Sequence, residues 1–416
     1  MTQATPLSSL PSRDVGLSIT ELDLSNFRNY QDIRLTLPVQ GSHINILVGE
    51  NGAGKTNLLE ALSYLVPGRG LRGARLPDVT LRTANIPWAV AAKIQGREGV
   101  MKLGTGILAN SQVGPVLNSK HFDKDDFEEN ESENSGFRRI VHIDGKVASG
   151  PASLFPYLLM SSLTPKMDRI FSEGATVRRR FVDRMTSRLQ KGHTQHVSRY
   201  ERLLRERMEL LSRGGRAVDG DWLDALERRL AEHAVAISAA RLELVTELAD
   251  HIVATAESPF PKSVIRLDGI LETMLEKTSA LETEEYFLAL LKDSREDDRR
   301  AGRTKSGPHK TDFLVIHKNK DMPAENCSTG EQKALIAGLV FTEALMIAQV
   351  SGAAPILLLD EIAAHLDAAL RQAFFEQLMD YPSQVWMTGT DRSLFAPLED
   401  HANYFKVAEG EIQQLS

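Results

Sequence analysis

The sequence predicts an α/β fold in two lobes: a sheet-based lobe with an antiparallel β subdomain, and a mainly helical lobe inserted into it. Three observations support this prediction. Residues 44–62 form an apolar run, a glycine-rich turn and a helical segment; residues 355–361 form an apolar run ending in two acids; and helical periodicity dominates residues 163–303. Contiguous apolar runs are typical of buried strands, and apolar residues three to four positions apart are typical of helices. With 416 residues, the chain also exceeds one ordinary core.

The predicted domain boundaries follow changes in residue pattern. Residues 17–162 and 304–416 are assigned to the sheet-based lobe, and residues 163–303 to the helical insertion. Residues 1–16 contain Ser and Pro but no apolar segment of a secretory signal, so a disordered leader is expected there. Residues 115–136 are acidic and rich in Asn and Ser, which predicts a loop without a packed core.

Composition indicates a globular protein in a reducing cytoplasm. Hydrophobic residues make up 42% of the chain and charged residues 25%. The single cysteine, Cys327, excludes an internal disulfide and a cysteine-based zinc site. We expect no apolar stretch long enough to span a membrane. Cytoplasmic localisation without membrane association is therefore predicted.

Charge is unevenly distributed along the chain. The formal net charge is −7, which argues against a surface that is basic throughout. Residues 177–216 nevertheless carry twelve Lys or Arg against four acids. Such a run is either a solvated helix face or a surface that meets phosphates, and the sequence leaves both open.

The first elements of the sheet-based lobe form a predicted hairpin. Apolar and polar residues alternate at residues 19–24 and again at 33–37, with a polar turn at residues 25–30 between them. Further strands are expected at residues 87–94 and 100–108. These segments predict an antiparallel group beside the glycine-rich turn.

That turn is a phosphate-binding motif. It fits the pattern GxxxxGK[S/T] between a strand and a helix. Its glycines let backbone N–H groups face a polyphosphate, and the helix presents the positive end of its dipole to the same anion. Lys55 is expected to reach the β and γ phosphates, and Thr56 to offer its hydroxyl to Mg²⁺. The residues predicted to bind a nucleoside triphosphate are Gly49, Glu50, Asn51, Gly52, Ala53, Gly54, Lys55 and Thr56.

The insertion is predicted to contain an antiparallel helical pair. Helical spacing runs from Phe181 to Leu211, is broken at Gly214-Gly215, and resumes from Trp222 to Ile252. Three histidines of this region, at positions 193, 196 and 233, are interpreted as ordinary helix residues because no acid or cysteine cluster accompanies them.

Two further motifs lie near the C-terminus. An apolar strand ends in Asp360, which would hold Mg²⁺ or its waters, and Glu361, which would take a proton from the attacking water. The start of an apolar helix, Ser328-Thr329-Gly330, can present a hydroxyl and N–H groups to an anion, although helix N-capping explains the same residues. Because 305 positions separate Lys55 from Asp360, an insertion must split the ATPase core.

The order of these motifs resembles the RecF family of ABC-type ATPases, which act in bacterial recombinational repair. The resemblance covers nearly the whole chain from residue 17. It rests on residues 26–30, 49–56, 163–165, 179–183, 307–312, 328–333 and 360–367. It implies an ABC-type P-loop ATPase lobe and an ATP-driven head-to-tail homodimer, in which each phosphate loop faces the Ser328-Thr329-Gly330 element of the other copy. Slow ATP hydrolysis would release the dimer.

The resemblance also implies a function and residue roles. Family members bind DNA in an ATP-dependent way at single-strand gap junctions, and act with RecR and RecO to help RecA load. By position, Lys55, Asp360 and Glu361 would be catalytic, and Thr56 and Asp360 would hold Mg²⁺. Nucleotide contacts are carried over to Arg28, Asn29, Ser328, Thr329, Gly330 and, across the dimer, Asp367. Arg69 and Arg72 are further candidates near the nucleotide.

Two departures from the family pattern stand out. Glu331 occupies a position that more often carries a basic or small residue. After the last core strand the chain has Thr388 or Thr390 where many ABC ATPases have a histidine, so the residue that senses the γ phosphate is left open.

Two other classes of protein share parts of this pattern. The ATPase subunit of a membrane transporter has a similar order of nucleotide-binding motifs. The long helical insertion of this chain argues against that class. A chromosome-structure protein would need much longer coiled coils and a Cys-x-x-Cys hook. Mg-ATP-dependent DNA binding and hydrodynamic size would separate these alternatives from the main interpretation.

Overall fold

A computed structural model describes residues 17–38, 42–84, 86–96, 99–109, 137–212, 220–255, 258–364 and 366–415. The predicted leader at residues 1–16, the predicted acidic loop at 115–136 and the glycine pair at 214–215 lie outside the described residues.

Fifteen strands and nine α-helices are found in the described part of the chain. The strands are β1 (Ser18–Phe27), β2 (Tyr30–Thr36), β3 (Ile44–Val48), β4 (Ala89–Gly96), β5 (Gly99–Ala109), β6 (Phe137–Ile143), β7 (Lys146–Val147), β8 (Met160–Leu163), β9 (Ser263–Asp268), β10 (Asp312–His317), β11 (Met322–Pro323), β12 (Ile356–Leu359), β13 (Val385–Gly389), β14 (Ala402–Ala408) and β15 (Glu411–Leu415). The α-helices are α1 (Lys55–Ser63), α2 (Ala175–Leu189), α3 (His193–Ser212), α4 (Gly220–Ala254), α5 (Ile270–Leu275), α6 (Ala280–Asp293), α7 (Arg295–Ala301), α8 (Thr329–Ser351) and α9 (Ala368–Met379).

The chain divides into two compact units. The first contains the described residues within 17–168, 254–260 and 336–415, and the second those within 169–253 and 261–335. The second unit thus extends beyond the boundary expected at residue 303, because β10 pairs with β9 over six residues in antiparallel register. Strand β10 had been expected in the sheet-based lobe.

A mixed sheet organises the first unit. Its order is β15-β14-β3-β13-β12-β8, and all neighbours are parallel except β14 and β15. Every residue of β3, β12 and β13 is buried, as expected for parallel strands covered on both faces. The segments that follow β3 and β12 therefore emerge at the same edge, on either side of the end of β13.

An antiparallel sheet of order β2-β1-β4-β5-β6-β7 also lies in the first unit, which confirms the predicted antiparallel subdomain. Three aromatic rings join this sheet to α1. The rings of Tyr64 and Trp88 have centroids 4.9 Å apart, and Phe27 lies edge-on to both at 5.9 and 5.5 Å. Because Tyr64 is the C-cap of α1, this packing joins the end of β1 to the C-terminal end of the helix.

The second unit is mainly helical and also contains the three-stranded sheet β11-β10-β9. Helices α3, α4 and α6 share an apolar core that includes Leu203, Leu230 and Phe287. A fully buried Arg207 donates hydrogen bonds of 2.8 Å to Glu227 and 2.7 Å to a carboxylate oxygen of α7. Buried charges need such partners, because an unpaired one is costly to desolvate.

Helix α8 corrects one expectation. It is long and apolar enough to span a membrane by length and composition, although no such stretch had been expected. Within the protein, 83% of its 18-residue apolar window is buried. Core helices of globular proteins pass the same test, so length and composition alone do not decide between the two environments.

Candidate functional site

Two segments that are 304 positions apart meet at the edge where β3 and β12 end. The Thr56 hydroxyl donates a hydrogen bond of 2.9 Å to Oδ1 of Asp360. Thr56 lies in the first turn of α1, directly after the glycine-rich turn, and Asp360 directly follows β12. The sheet thus brings the two predicted metal ligands together.

Lys55 lies within the curve of its own loop. Its Nζ donates to the carbonyl oxygens of Gly49 at 2.6 Å and Glu50 at 2.8 Å, and the side chain is buried. Burial lowers the pKa of Lys55, whereas the negative charges of Glu361 and Asp360 act to raise it. The ammonium is therefore held by the carbonyl oxygens of its own loop, where the charges of the two acids act on it.

Two glycines of the loop are required by close contacts. Gly54 has a φ of 119°, and a Cβ there would lie 2.5 Å from Nδ2 of Asn29 and 2.9 Å from the hydroxyl of Tyr30. A Cβ at Gly49 would lie 2.2 Å from the carbonyl oxygen of Val407. Side chains at these positions would displace the loop from the residues that support it.

The turn between β1 and β2 supports the loop from one side. Asn29 donates from Nδ2 to the carbonyl oxygen of Ala53 at 3.1 Å and accepts from Nδ2 of Asn57 at 2.7 Å. The Tyr30 hydroxyl donates to the carbonyl oxygen of Gly54 at 3.0 Å. Asn29, predicted to contact nucleotide, thus lies against the backbone of the phosphate loop.

Arg28 is held by an acid that the sequence reasoning missed. Its guanidinium donates to both carboxylate oxygens of Glu60 at 2.8 Å, and Glu60 is fully buried in α1. Arg72 also donates to Glu60, at 3.1 Å, and to Oδ1 of Asn57 at 2.7 Å. The only signal in the sequence is an acid among the apolar residues of α1, which does not reveal its partners.

The two acids after β12 share one hydroxyl. Thr388, on β13, donates to Oδ1 of Asp360 at 2.8 Å and accepts from the backbone N–H of Glu361 at 2.8 Å. Burial raises the pKa of Asp360, while the hydrogen bonds from Thr388 and Thr56 oppose that rise. Glu361 has a φ of 55°, in the left-handed region that non-glycine residues seldom adopt.

The chain was compared with known protein families and with curated proteins. The family model described as "RecF/RecN/SMC N terminal domain" matches residues 18–413. A curated protein of Brucella suis biovar 1 (strain 1330), named "DNA replication and repair protein RecF", is 43% identical over 398 residues, which cover 95% of this chain and 96% of the relative. A relative of the same name from Mesorhizobium japonicum is 42% identical over 395 residues, covering 95% and 97%. This chain belongs to the RecF family.

Solved structures agree with the fold. One described as "Structure of the recombination mediator protein RecF-ATPrS in RecFOR pathway" has a TM-score of 0.78 and 20% identity, and the match covers 98% of this chain and 100% of that one. A second, described with ATP, also has a TM-score of 0.78, at 21% identity. The fold expected from the RecF-family resemblance is thereby confirmed.

In this RecF-family chain, Ser328 begins a complete capping box. Its hydroxyl accepts from the backbone N–H of Glu331 at 3.4 Å, and its own backbone N–H donates to Oε2 of Glu331 at 3.0 Å. A contact with Lys320 and the bonds from Ser328 lower the pKa of Glu331 to about 2. Glu331, the acid at the unusual position, therefore caps its own helix. The residues predicted to contact nucleotide, Ser328, Thr329 and Gly330, are exposed in the second unit.

Asp367 likewise caps a helix. Its Oδ1 accepts from the backbone N–H of Leu370 at 2.9 Å at the start of α9, and the residue is exposed. Within one copy, this aspartate is an ordinary N-cap. Its predicted contact across a dimer would require a second copy of the chain.

Proposed function

We propose that this chain is an ATP-dependent DNA-binding protein of DNA replication and recombinational repair. The observation that carries the proposal is the 2.9 Å contact between Thr56 and Asp360, beside the buried ammonium of Lys55. Together these groups offer a polyphosphate one positive charge and offer a cation two oxygen ligands. The relatives named above supply the biological setting, because they are DNA replication and repair proteins.

The site has the chemistry that Mg-ATP requires. Mg²⁺ prefers hard oxygen ligands, and a Thr hydroxyl beside an Asp carboxylate is such a donor set. Both hydroxyls that contact Asp360 meet Oδ1, so Oδ2 is the oxygen that neither of them occupies. Residues 49–56 would surround the phosphates, Thr56 and Asp360 would hold the ion, and Glu361 would orient and deprotonate water. Bound Mg²⁺ would neutralise charge that develops on the phosphates.

Arg28 and Asn29 have a supporting role in this proposal. Asn29 holds the carbonyl of Ala53, and Arg28 holds Glu60 of the helix that follows the loop. Both residues thus keep the loop in the shape that turns its N–H groups toward phosphate. Either side chain would also contact the bound nucleotide.

We further propose that ATP joins two copies head to tail, with Ser328, Thr329, Gly330 and Asp367 of each copy completing the site of the other. The exposure of all four residues and the position of Thr329 and Gly330 in the first turn of α8 support this arrangement. Hydrolysis would be slow because the site is complete only in the dimer. As a cytoplasmic repair protein, the dimer would bind double-stranded DNA and gap junctions and act with RecR, RecO and RecA.

The test is binding to a gapped DNA duplex with and without Mg-ATP at fixed salt, together with the mass of the protein in solution. We expect ATP to produce a dimer and to tighten DNA binding. ATP binding that changes neither mass nor DNA affinity would refute the switch and favour an ABC-type ATPase of another machine. Because phosphate contacts release counterions, the DNA affinity should also fall steeply as salt increases.

A further inference from the structure

Thr388 lies where it can act on both acids of the candidate site. Strand β13 separates β3 from β12, and the parallel register pairs Leu359 with Met387, so Asp360 and Thr388 are the next positions along the two strands. Thr388 is fully buried. It therefore sits between the strand that leads into the phosphate loop and the strand that ends in the acids.

The direction of each hydrogen bond at Thr388 is determined by its partners. A backbone N–H can only donate, so the 2.8 Å contact with the N–H of Glu361 requires the Thr388 oxygen to accept. The single hydroxyl proton is then left for Oδ1 of Asp360, also at 2.8 Å. One hydroxyl thus binds the side chain of one acid and the main chain of the next.

Both bonds bear on the orientation of the carboxylates. The bond to Asp360, with that from Thr56, holds Oδ1 and so determines the direction in which Oδ2 points. The bond from Glu361 holds the peptide between the two acids, and it does so at a residue whose φ of 55° is unfavourable for a side chain with a Cβ. Without the hydroxyl, that peptide would lose a buried partner, and the two carboxylates would be held less rigidly.

We propose that Thr388 is a positioning residue that couples Asp360 and Glu361, so that its hydroxyl determines the response of this site to Mg²⁺. The inference rests on the proposed Mg-ATP site and adds a residue to it. Thr388 touches neither nucleotide nor metal in this proposal. It acts through the two acids alone.

Two pairs of variants isolate the hydroxyl. The first pair is the unsubstituted protein and Thr388→Val, which differ in the hydroxyl at nearly constant side-chain volume. The second pair is Thr388→Ser and Thr388→Ala, which differ in the hydroxyl at a smaller side-chain volume. The measurement is the affinity for ATP over a range of Mg²⁺ concentrations and in EDTA, with ATP hydrolysis as a second readout. The second pair provides the same comparison if the valine variant does not fold.

We expect each variant without the hydroxyl to need about tenfold more Mg²⁺ than its hydroxyl-bearing partner for half-maximal ATP binding, and to hydrolyse ATP more slowly. Affinity for ATP in EDTA should change less than about twofold, because Lys55 and the loop are untouched. Thr388→Ser should behave as the unsubstituted protein does. A purely structural role would lower thermal stability without altering the Mg²⁺ dependence.

Ser161→Ala is the matched control. Ser161, on β8 of the same sheet, is also fully buried and donates to a carboxylate, Oε2 of Glu343, at 3.1 Å. Its loss should lower the melting temperature but leave the Mg²⁺ dependence unchanged. An unchanged Mg²⁺ dependence in both hydroxyl-free variants, or an equal defect in Thr388→Ser, would overturn the inference. Failure of the unsubstituted protein to bind Mg-ATP would instead overturn the proposed function.

Discussion

The guanidinium of Arg28 meets both carboxylate oxygens of Glu60 at 2.8 Å, which joins the turn between β1 and β2 to the helix that follows the phosphate loop. Glu60 is fully buried, and Arg72 is its second partner. The antiparallel sheet and helix α1 are thus linked by an ion pair with a buried carboxylate, and not by apolar packing alone.

Replacing Arg28 should destabilise the first unit. In Arg28→Ala, Glu60 would remain buried with Arg72 alone, at a cost of about 2 kcal/mol in the free energy of unfolding. Urea denaturation measures this change. Arg34→Ala removes an exposed ion pair with Asp23 and serves as the control, for which we expect no measurable change. Equal effects of the two variants would contradict a special role for the pair between Arg28 and Glu60.

Lys55→Met should abolish tight nucleotide binding. The variant keeps much of the side-chain length but removes the ammonium, so ATP affinity should fall by about 100-fold or more, as for loss of hydrogen bonds to a charged group. Isothermal titration calorimetry with ATP measures the affinity. Lys93→Met, which removes a lysine that pairs with Glu21 on the antiparallel sheet, should bind ATP normally. Retention of full affinity by Lys55→Met would refute the phosphate-loop assignment.

Glu361→Gln should bind ATP but fail to hydrolyse it. Loss of a general base slows proton transfer by roughly 10² to 10⁴-fold, so ATP-bound dimers should accumulate. The mass of the protein in solution with Mg-ATP, measured by light scattering, is the readout. Glu409→Gln is a matched control, because Glu409 also has a positive φ, of 49°, but lies in the turn between β14 and β15. A Glu361→Gln protein that stays monomeric with ATP would count against the head-to-tail dimer.

His309 should make the second unit sensitive to acid. Its Nε2 lies 3.0 Å from the carbonyl oxygen of Thr304, and its Nδ1 lies 2.7 Å from the hydroxyl of Tyr200. Because a carbonyl only accepts, Nε2 carries the proton in the neutral ring and Nδ1 accepts from Tyr200. Burial lowers the pKa of His309 to about 4.

The sign of the pH effect follows from that lowered pKa. The folded protein binds the proton less readily than the unfolded chain, in which a histidine has a pKa of about 6.5. Stability from the neutral ring is therefore complete above pH about 6.5 and is lost as pH falls toward 4, by roughly 2 to 3 kcal/mol. Urea denaturation across this range should show the decline. His309→Gln should reduce it, whereas His401→Gln, at an exposed site, should not.

Local patterns were sufficient to predict several elements. The contiguous apolar residues of β3 and β12, the glycine motif between β3 and α1, and the alternation in β1 and β2 each lie within a short stretch of chain. Helix N-capping by Ser328, the alternative to an anion-binding role, could also be predicted because it involves residues only a few positions apart. The structure bears that alternative out, because Glu331 reaches back to Ser328.

Other features were missed because the partners are distant in sequence. No local pattern indicates that β10 pairs with β9, and the sequence analysis therefore placed β10 with the sheet-based lobe. Nor does the sequence show why α1 carries the buried Glu60, since Arg28 lies 32 positions earlier. The sequence analysis considered Thr388 only because it lies near the position where many ABC ATPases have a histidine. Its bonds to the two acids depend on the neighbour relation of β12 and β13.

The sequence by itself was enough to predict which residues would carry the chemistry, because glycine, lysine, threonine and carboxylate side chains in a strand-turn-helix order are typical of a nucleotide site. Only the tertiary structure decided which of them touch. A hydrogen bond requires its donor and acceptor to lie about 3 Å apart. Thr56 and Asp360, 304 positions apart, reach that distance because the parallel sheet brings the ends of β3 and β12 to one edge.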